Sequence, residues 1–150
     1  MARAGLKQMT RTPEAKLGHF IVEFATPGIG HILKQAGCDF ALFDLEHSGF
    51  GFETVKSAAR YFEAAGLPAI VRVPSKEYHH IARACDMGAE GIMIPMVSTA
   101  AEAKAVVELA DTMPLAPMPA TREKKVRGFV KETVGNLLIN QQLVIDHRFA

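Results

Sequence analysis

Apolar residues recur along this chain in one pattern, repeated four times: a short unbroken run, then positions spaced three and four apart. The run over 19–25 is rich in β-branched and aromatic residues and is closed by Thr26, Pro27 and Gly28, which predicts a buried strand ending in a turn. Ile29, Ile32, Leu33 and Ala36 then share one helical face, stopped by Gly37. The second unit places a strand over 40–47, a loop over 48–51 and a helix over 52–65 before Gly66. In the third, a strand over 68–73 precedes a helix whose inner face is marked by Tyr78, Ile81, Ala82 and Cys85. The fourth has a strand over 91–97, a capping box from Thr99 to Glu102, and a helix with Ala103, Val106, Val107 and Ala110 inward.

Four strand–helix units in succession predict a right-handed parallel βα array. The strands read as continuous apolar runs, as parallel strands covered on both faces do. A doubly wound open sheet and a TIM-type (β/α)8 barrel share this signal, and a complete barrel needs about 250 residues. Four units would be half of such a barrel, so an α/β fold of parallel βα units is expected over residues 1–112, as an open sheet or an incomplete barrel. After Asp111 the pattern changes. Pro114, Pro117 and Pro119 oppose helix and central strand alike, and a basic cluster runs from Arg122 to Arg127. Residues 113–150 are expected to be an irregular, proline-rich and basic segment, with a helix around Val134 and Leu138 and a short apolar stretch at Leu143, Val144 and Ile145.

Composition narrows the class of partner. The chain has 150 residues, 49% hydrophobic and 22% charged, enough apolar surface for a packed core. Seventeen basic against sixteen acidic residues leave a net charge of +1, so no global field attracts nucleic acid or an anionic membrane. No apolar run is long enough to span a bilayer, and Cys38 and Cys85 form neither a disulfide framework nor a metal spacing. A cytoplasmic location is expected.

Candidate chemistry gathers at strand ends, where parallel α/β folds bind ligands. Asp44, Glu46 and His47 crowd the end of a strand otherwise built of Phe40, Ala41, Leu42, Phe43 and Leu45. An imidazole beside carboxylates can serve as a general base near neutral pH. Alternation puts Asp44 and Glu46 on one face, while Gly49 and Gly51 leave backbone room for a ligand. Arg72 ends the next strand; its fork could bind a carboxylate or enolate oxygen, or pair structurally with Asp44 or Glu46. Asp86 before Gly88, and Glu23 near the first strand's end, read locally as exposed polar residues. His79 and His80 point about 100° apart on a helix and cannot chelate one ion together. His19, His31 and His147 are isolated. Gly28 and Gly30 lack the remaining parts of a dinucleotide fingerprint, and the Arg122–Arg127 cluster has no aromatic interleaving and reads as a solvated face.

Three segments, residues 37–47, 68–73 and 85–96, resemble the metal-dependent pyruvate aldolases of the 4-hydroxy-2-oxoheptanedioate / 2-dehydro-3-deoxyglucarate aldolase type, in order and at family spacing from about residue 17 to 112. The resemblance implies a (β/α)8 barrel that cleaves a 4-hydroxy-2-oxo acid into pyruvate and an aldehyde through a metal-stabilised enolate, the metal being magnesium, manganese or cobalt. By the match His47 is the acid/base residue, Asp86 orients it, Arg72 binds substrate and stabilises the enolate oxygen, and Asp44 falls at an active-site position. In the family the metal-binding Glu and Asp come from the fifth and sixth strands. Residues 113–150 do not match that pattern; Glu46, Asp146 and His147 are the nearby carboxylates and imidazole, and no metal ligand is assigned.

Three functional classes follow. One is a carbon–carbon lyase acting on a small 2-oxo acid. The second is a catalytically inactive half-barrel that acts by self-association or as a subunit. The third is a small anion-binding α/β domain. A half-barrel exposes sheet edges and an apolar interior, so a homo-oligomer is expected for either of the first two.

Overall fold

The computed structural model describes residues 5–9, 11–112, 138–139 and 142–146. The elements run α1 (Leu6–Met9), β1 (Gly18–Ile21), α2 (Ile29–Gln35), β2 (Phe40–Asp44), α3 (Phe52–Ala64), β3 (Ala69–Arg72), α4 (Tyr78–Asp86), β4 (Gly91–Ile94), α5 (Ala100–Thr112), β5 (Leu138–Ile139) and β6 (Gln142–Asp146). Strands β1 to β4 lie side by side in parallel, giving the sheet order β1-β2-β3-β4-β6-β5. The expected parallel βα array is present, as an open sheet.

One device ends three helices. Gly37, Gly66 and Gly88 take φ of 90°, 67° and 85°, a left-handed turn that side chains resist. At each, the next residue donates its N–H to the carbonyl five back: Cys38 to Leu33 at 3.0 Å, Leu67 to Phe62 at 3.0 Å, Ala89 to Ala84 at 3.3 Å. This satisfies carbonyls that the helix end leaves unpaired and redirects the chain into the next strand.

The core lies between sheet and helices. Phe43, Val71, Ile92 and Ile94 from the strands meet Val55, Phe62 and Ile81 from the helices, with Phe43 edge-on to Phe62 at 4.9 Å. The sheet's other face carries Leu42 and Ile70, covered by Leu6 of α1 with Phe40 and Met93 alongside.

Four expectations need correction. Strand β1 ends at Ile21 rather than continuing to residue 25, leaving Phe20, Val22 and Phe24 exposed. It is an edge strand, with a ladder on one side only. Ile32 is 63% exposed rather than inward. Helix α2 turns Gly30 and Leu33 inward, because Gly30 lets it approach α3 so closely that an added Cβ would stand 3.2 Å from Ala65 Cβ. Tyr78, in the first turn of α4, is likewise exposed; Ile81 and Ala84 carry that helix's buried face. Finally, β5 and β6 fall in the segment expected to be irregular. The apolar stretch Leu143–Ile145 pairs antiparallel with β4, Met93 opposite Val144, and so covers the edge of β4. The expected helix around Val134 and the Arg122–Arg127 cluster lie outside the described residues.

Candidate active site

Parallel register sets Asp44 of β2 beside Arg72 of β3, both on the last positions of their strands. The guanidinium closes a fork on the carboxylate: Nε donates to Oδ1 at 2.8 Å and an η-nitrogen to Oδ2 at 2.7 Å. The same Nε lies 3.2 Å from Glu46 Oε2. Both charges are nearly out of water, the Asp44 side chain 1% exposed and Arg72 12%. The guanidinium carbon also sits 5.0 Å from the centre of the Phe20 ring on β1, a favourable face for a cation.

Asp44 is the hub of the loop that follows it. Its Oδ1 accepts the Glu46 N–H at 2.8 Å and its Oδ2 the His47 N–H at 3.3 Å. The Ser48 hydroxyl donates to the Asp44 carbonyl and accepts the Phe50 N–H at 3.1 Å. Chain turn and ion pair are thus one network. Burial pushes the Asp44 carboxyl up, but the Arg72 hydrogen bonds and then the two backbone donors outweigh it and hold the group below its ordinary value. Reciprocally, the Asp44 hydrogen bond raises Arg72.

His47 stands at the rim, its side chain 72% exposed, with Nε2 3.6 Å from Glu46 Oε1. Asp86 is elsewhere. It ends α4 and lines a groove of about 200 Å³ between α3 and α4 with Phe52, Glu53, Lys56, Arg83 and Met87. No hydrogen bond or ion pair joins it to His47 among the described residues. Glu23 lies just past β1, beside a smaller groove lined by Phe20, Val22, Phe24 and Ile29. Asp44, Glu46, His47 and Arg72 therefore come together, and Asp86 does not join them within the chain.

Two participants escaped the sequence reading. Phe20 was visible only as an apolar strand residue, though its alternation with Ile21 puts it on the Arg72 face. Ser48 was visible only as a loop residue; its place just after the carboxylate run is the signal for a side-chain pin.

Among the described residues, no three His, Cys, Asp or Glu side chains converge as a metal site. Asp44 already spends both oxygens on four donors. These residues alone do not fit a divalent ion.

The cluster lies at the carboxyl ends of parallel strands, the place where α/β folds bind ligands. Residues 18–128 match the family described as HpcH/HpaI aldolase/citrate lyase, and the chain belongs to that family. The match reaches past residue 112, where the sequence resemblance was expected to end, into the proline-rich segment. A 4-hydroxy-2-oxovalerate aldolase of Novosphingobium aromaticivorans is 37% identical over 102 residues, 67% of this chain and 38% of the relative. A hydroxypyruvate/pyruvate aldolase of Paraburkholderia phytofirmans is 42% identical over 79 residues, 51% of this chain and 30% of the relative. Among solved structures, an HpcH/HpaI aldolase from Desulfitobacterium hafniense superimposes with a TM-score of 0.68 at 27% identity, over 85% of this chain and 52% of its own. The citrate synthase SbnG gives the same TM-score, 0.68, at 26% identity, over 85% of this chain and 52% of its own. The chain thus spans about half the length of the solved structures it matches, and less of these two curated relatives. Among the described residues, no helix is long and apolar enough to cross a membrane.

Proposed function

We propose that this cluster is the strand-end part of a carbon–carbon lyase site that splits a 4-hydroxy-2-oxo acid into pyruvate and an aldehyde. The observation that supports it is Arg72, a partly buried guanidinium held by Asp44 and Glu46 with N–H donors to spare. Five N–H groups radiate from a guanidinium, and the fork consumes two. The others suit an oxyanion at the sheet's mouth.

In the reaction His47 Nε2 takes the proton of the C4 hydroxyl, the C3–C4 bond breaks, and its electron pair moves into a C2–C3 enolate. Arg72 stabilises the charge that develops on the C2 oxygen. The aldehyde leaves, and a proton returned to C3 completes pyruvate. Asp44 acts through Arg72, since its own oxygens are occupied. Glu46, with Oε1 3.6 Å from His47, takes the orienting role first expected of Asp86. Both named aldolases are consistent with this chemistry, while the citrate synthase neighbour is a reminder that the fold alone does not choose it.

The test is release of pyruvate from 4-hydroxy-2-oxovalerate, read by coupled lactate dehydrogenase, with manganese and then with EDTA. Release under either condition that Arg72→Lys lowers by about 10²-fold or more supports the reading. A folded chain that releases none under either condition sinks it. That outcome favours the second reading, a non-catalytic subunit, which the exposed β1 edge supports.

A further inference from the structure

His47 stands on a loop with little of its own to hold it. A Cβ added at Gly49 or Gly51 would meet nothing within 4 Å, and neither glycine takes a left-handed conformation. Glycine at such positions leaves the backbone free rather than fitted. Gly51 is also the N-cap of α3 and has no side chain to close that helix's first turn. Asp44 and Ser48 pin the start of the loop, so its far end, beyond the glycines, must be fixed from outside.

That fixing is visible at Phe52, the first residue of α3. Its half-buried ring meets two side chains of α4. The His80 imidazole lies 18° from parallel to it with 6.2 Å between centres, and the Arg83 guanidinium carbon stands 4.2 Å from its centre. His80 is tied in turn to the loop after β3, where Ser75 Oγ lies 2.8 Å from its Nδ1. The same Ser75 oxygen accepts the Glu77 N–H at 3.2 Å, which leaves the hydroxyl proton for the imidazole. Burial, and then the His79 charge, holds His80 below its ordinary value of 6.5, so the ring is neutral near pH 7 and Nδ1 can accept that hydrogen bond.

Ser75 is itself rigidly placed relative to Arg72. Val73 is fully buried and donates its N–H to the Met93 carbonyl at 3.1 Å, and Pro74 fixes its own φ. We propose that Ser75, His80 and Phe52 are positioning residues that clasp the β2–α3 loop to the β3–α4 loop and so hold His47 at a set place beside Arg72. None of the three touches the reacting atoms. Their catalytic consequence rests on the lyase reading; the clasp itself does not.

Hydrogen exchange and turnover, measured on the same variants, test it. The His47 and Phe50 amides bond Asp44 and Ser48, and exchange at each is scaled to the distant Cys38 amide. In Ser75→Ala both should exchange about fivefold faster than in the parent, and Ser75→Thr should restore the parent rate. His80→Phe keeps a ring against Phe52 but removes Nδ1, and should match Ser75→Ala. With 4-hydroxy-2-oxovalerate as substrate, Ser75→Ala and His80→Phe should each lose about tenfold in kcat with KM within about twofold, and Ser75→Thr should recover. Unchanged scaled exchange overturns the proposal whatever the activity, and so does a parental kcat in a variant whose loop amides have sped up. Faster loop exchange in the variants of a parent that releases no pyruvate instead marks the failure of the lyase reading, and the clasp stands.

Discussion

Replacing Arg72 by methionine measures how far the fold depends on the ion pair that the site uses. Methionine keeps much of the apolar stem and removes the fork. Asp44 then stays buried, 1% exposed, with only the Glu46 and His47 N–H groups at 2.8 and 3.3 Å. Removing one partner of a buried pair costs on the order of 3–5 kcal/mol, because the other charge is left uncompensated. The two surviving backbone donors put the loss at the low end, about 3 kcal/mol, or roughly 6–12 °C in Tm for a chain of this size. The pH dependence is the sharper signature. In the parent, Asp44 is held below its ordinary value of 3.8, so its contribution is fully present above that value and is lost as pH falls through the lower folded one. In Arg72→Met, burial acts without its main counterweight and the folded value of Asp44 rises above the unfolded one. The charged carboxylate then opposes folding at neutral pH, and protonation relieves it. The stability gap between parent and variant should therefore be about 3 kcal/mol at pH 7 and narrow steadily toward pH 4. Urea unfolding followed by far-UV circular dichroism at several pH values reads it directly. A gap below about 1 kcal/mol at pH 7, or one that stays constant with pH, would refute the claim that Arg72 neutralises a buried Asp44.

Two further outcomes follow from burial and exposure. Phe24 is 63% exposed beside the open β1 edge, so the parent should elute and scatter as more than a monomer, and Val22→Lys with Phe24→Lys should shift it toward one; a parent that is monomeric at all concentrations contradicts this. Burial, and secondarily the Asp86 charge, push the Cys85 thiol far up, so iodoacetamide at mildly alkaline pH should leave Cys85 unmodified until urea is added. Rapid labelling of the folded protein would show that the thiol is not shielded.

The parallel array was legible because each unit is punctuated locally. Gly37, Gly66 and Gly88 mark turns that only a left-handed residue closes, and the apolar runs after them have no polar face to offer water. The Asp44, Glu46 and Arg72 cluster was legible for a related reason: charge at the end of an apolar strand demands a partner, and adjacent parallel strands supply it in register. What was hidden depends on contacts distant in sequence. The inward face of α2 is set by how closely Gly30 meets α3, which the spacing of Ile29, Ile32 and Ala36 does not encode. The Lys76–Glu102 pair spans 26 positions, and each residue alone reads as an exposed loop or capping charge. Antiparallel β6 was hidden because Leu143–Ile145 specifies a strand but not the edge it pairs with.

The saturation of Asp44 also bears on how the site divides its labour. A carboxylate that accepts from two backbone N–H groups and both arms of a guanidinium has no lone pair well placed for a substrate proton, and lowering its proton affinity makes it a poorer base still. Its value lies in what it fixes: the β2–α3 turn that carries His47, and the plane of the Arg72 guanidinium. Glu46 differs, with one oxygen 3.2 Å from Arg72 and the other 3.6 Å from His47. In the proposed lyase reaction it would connect the group that steadies negative charge to the group that moves the proton. A substitution at Glu46 should therefore act on both halves of the reaction, lowering kcat more than it raises KM, whereas the loss at Asp44 should arrive first as lost stability.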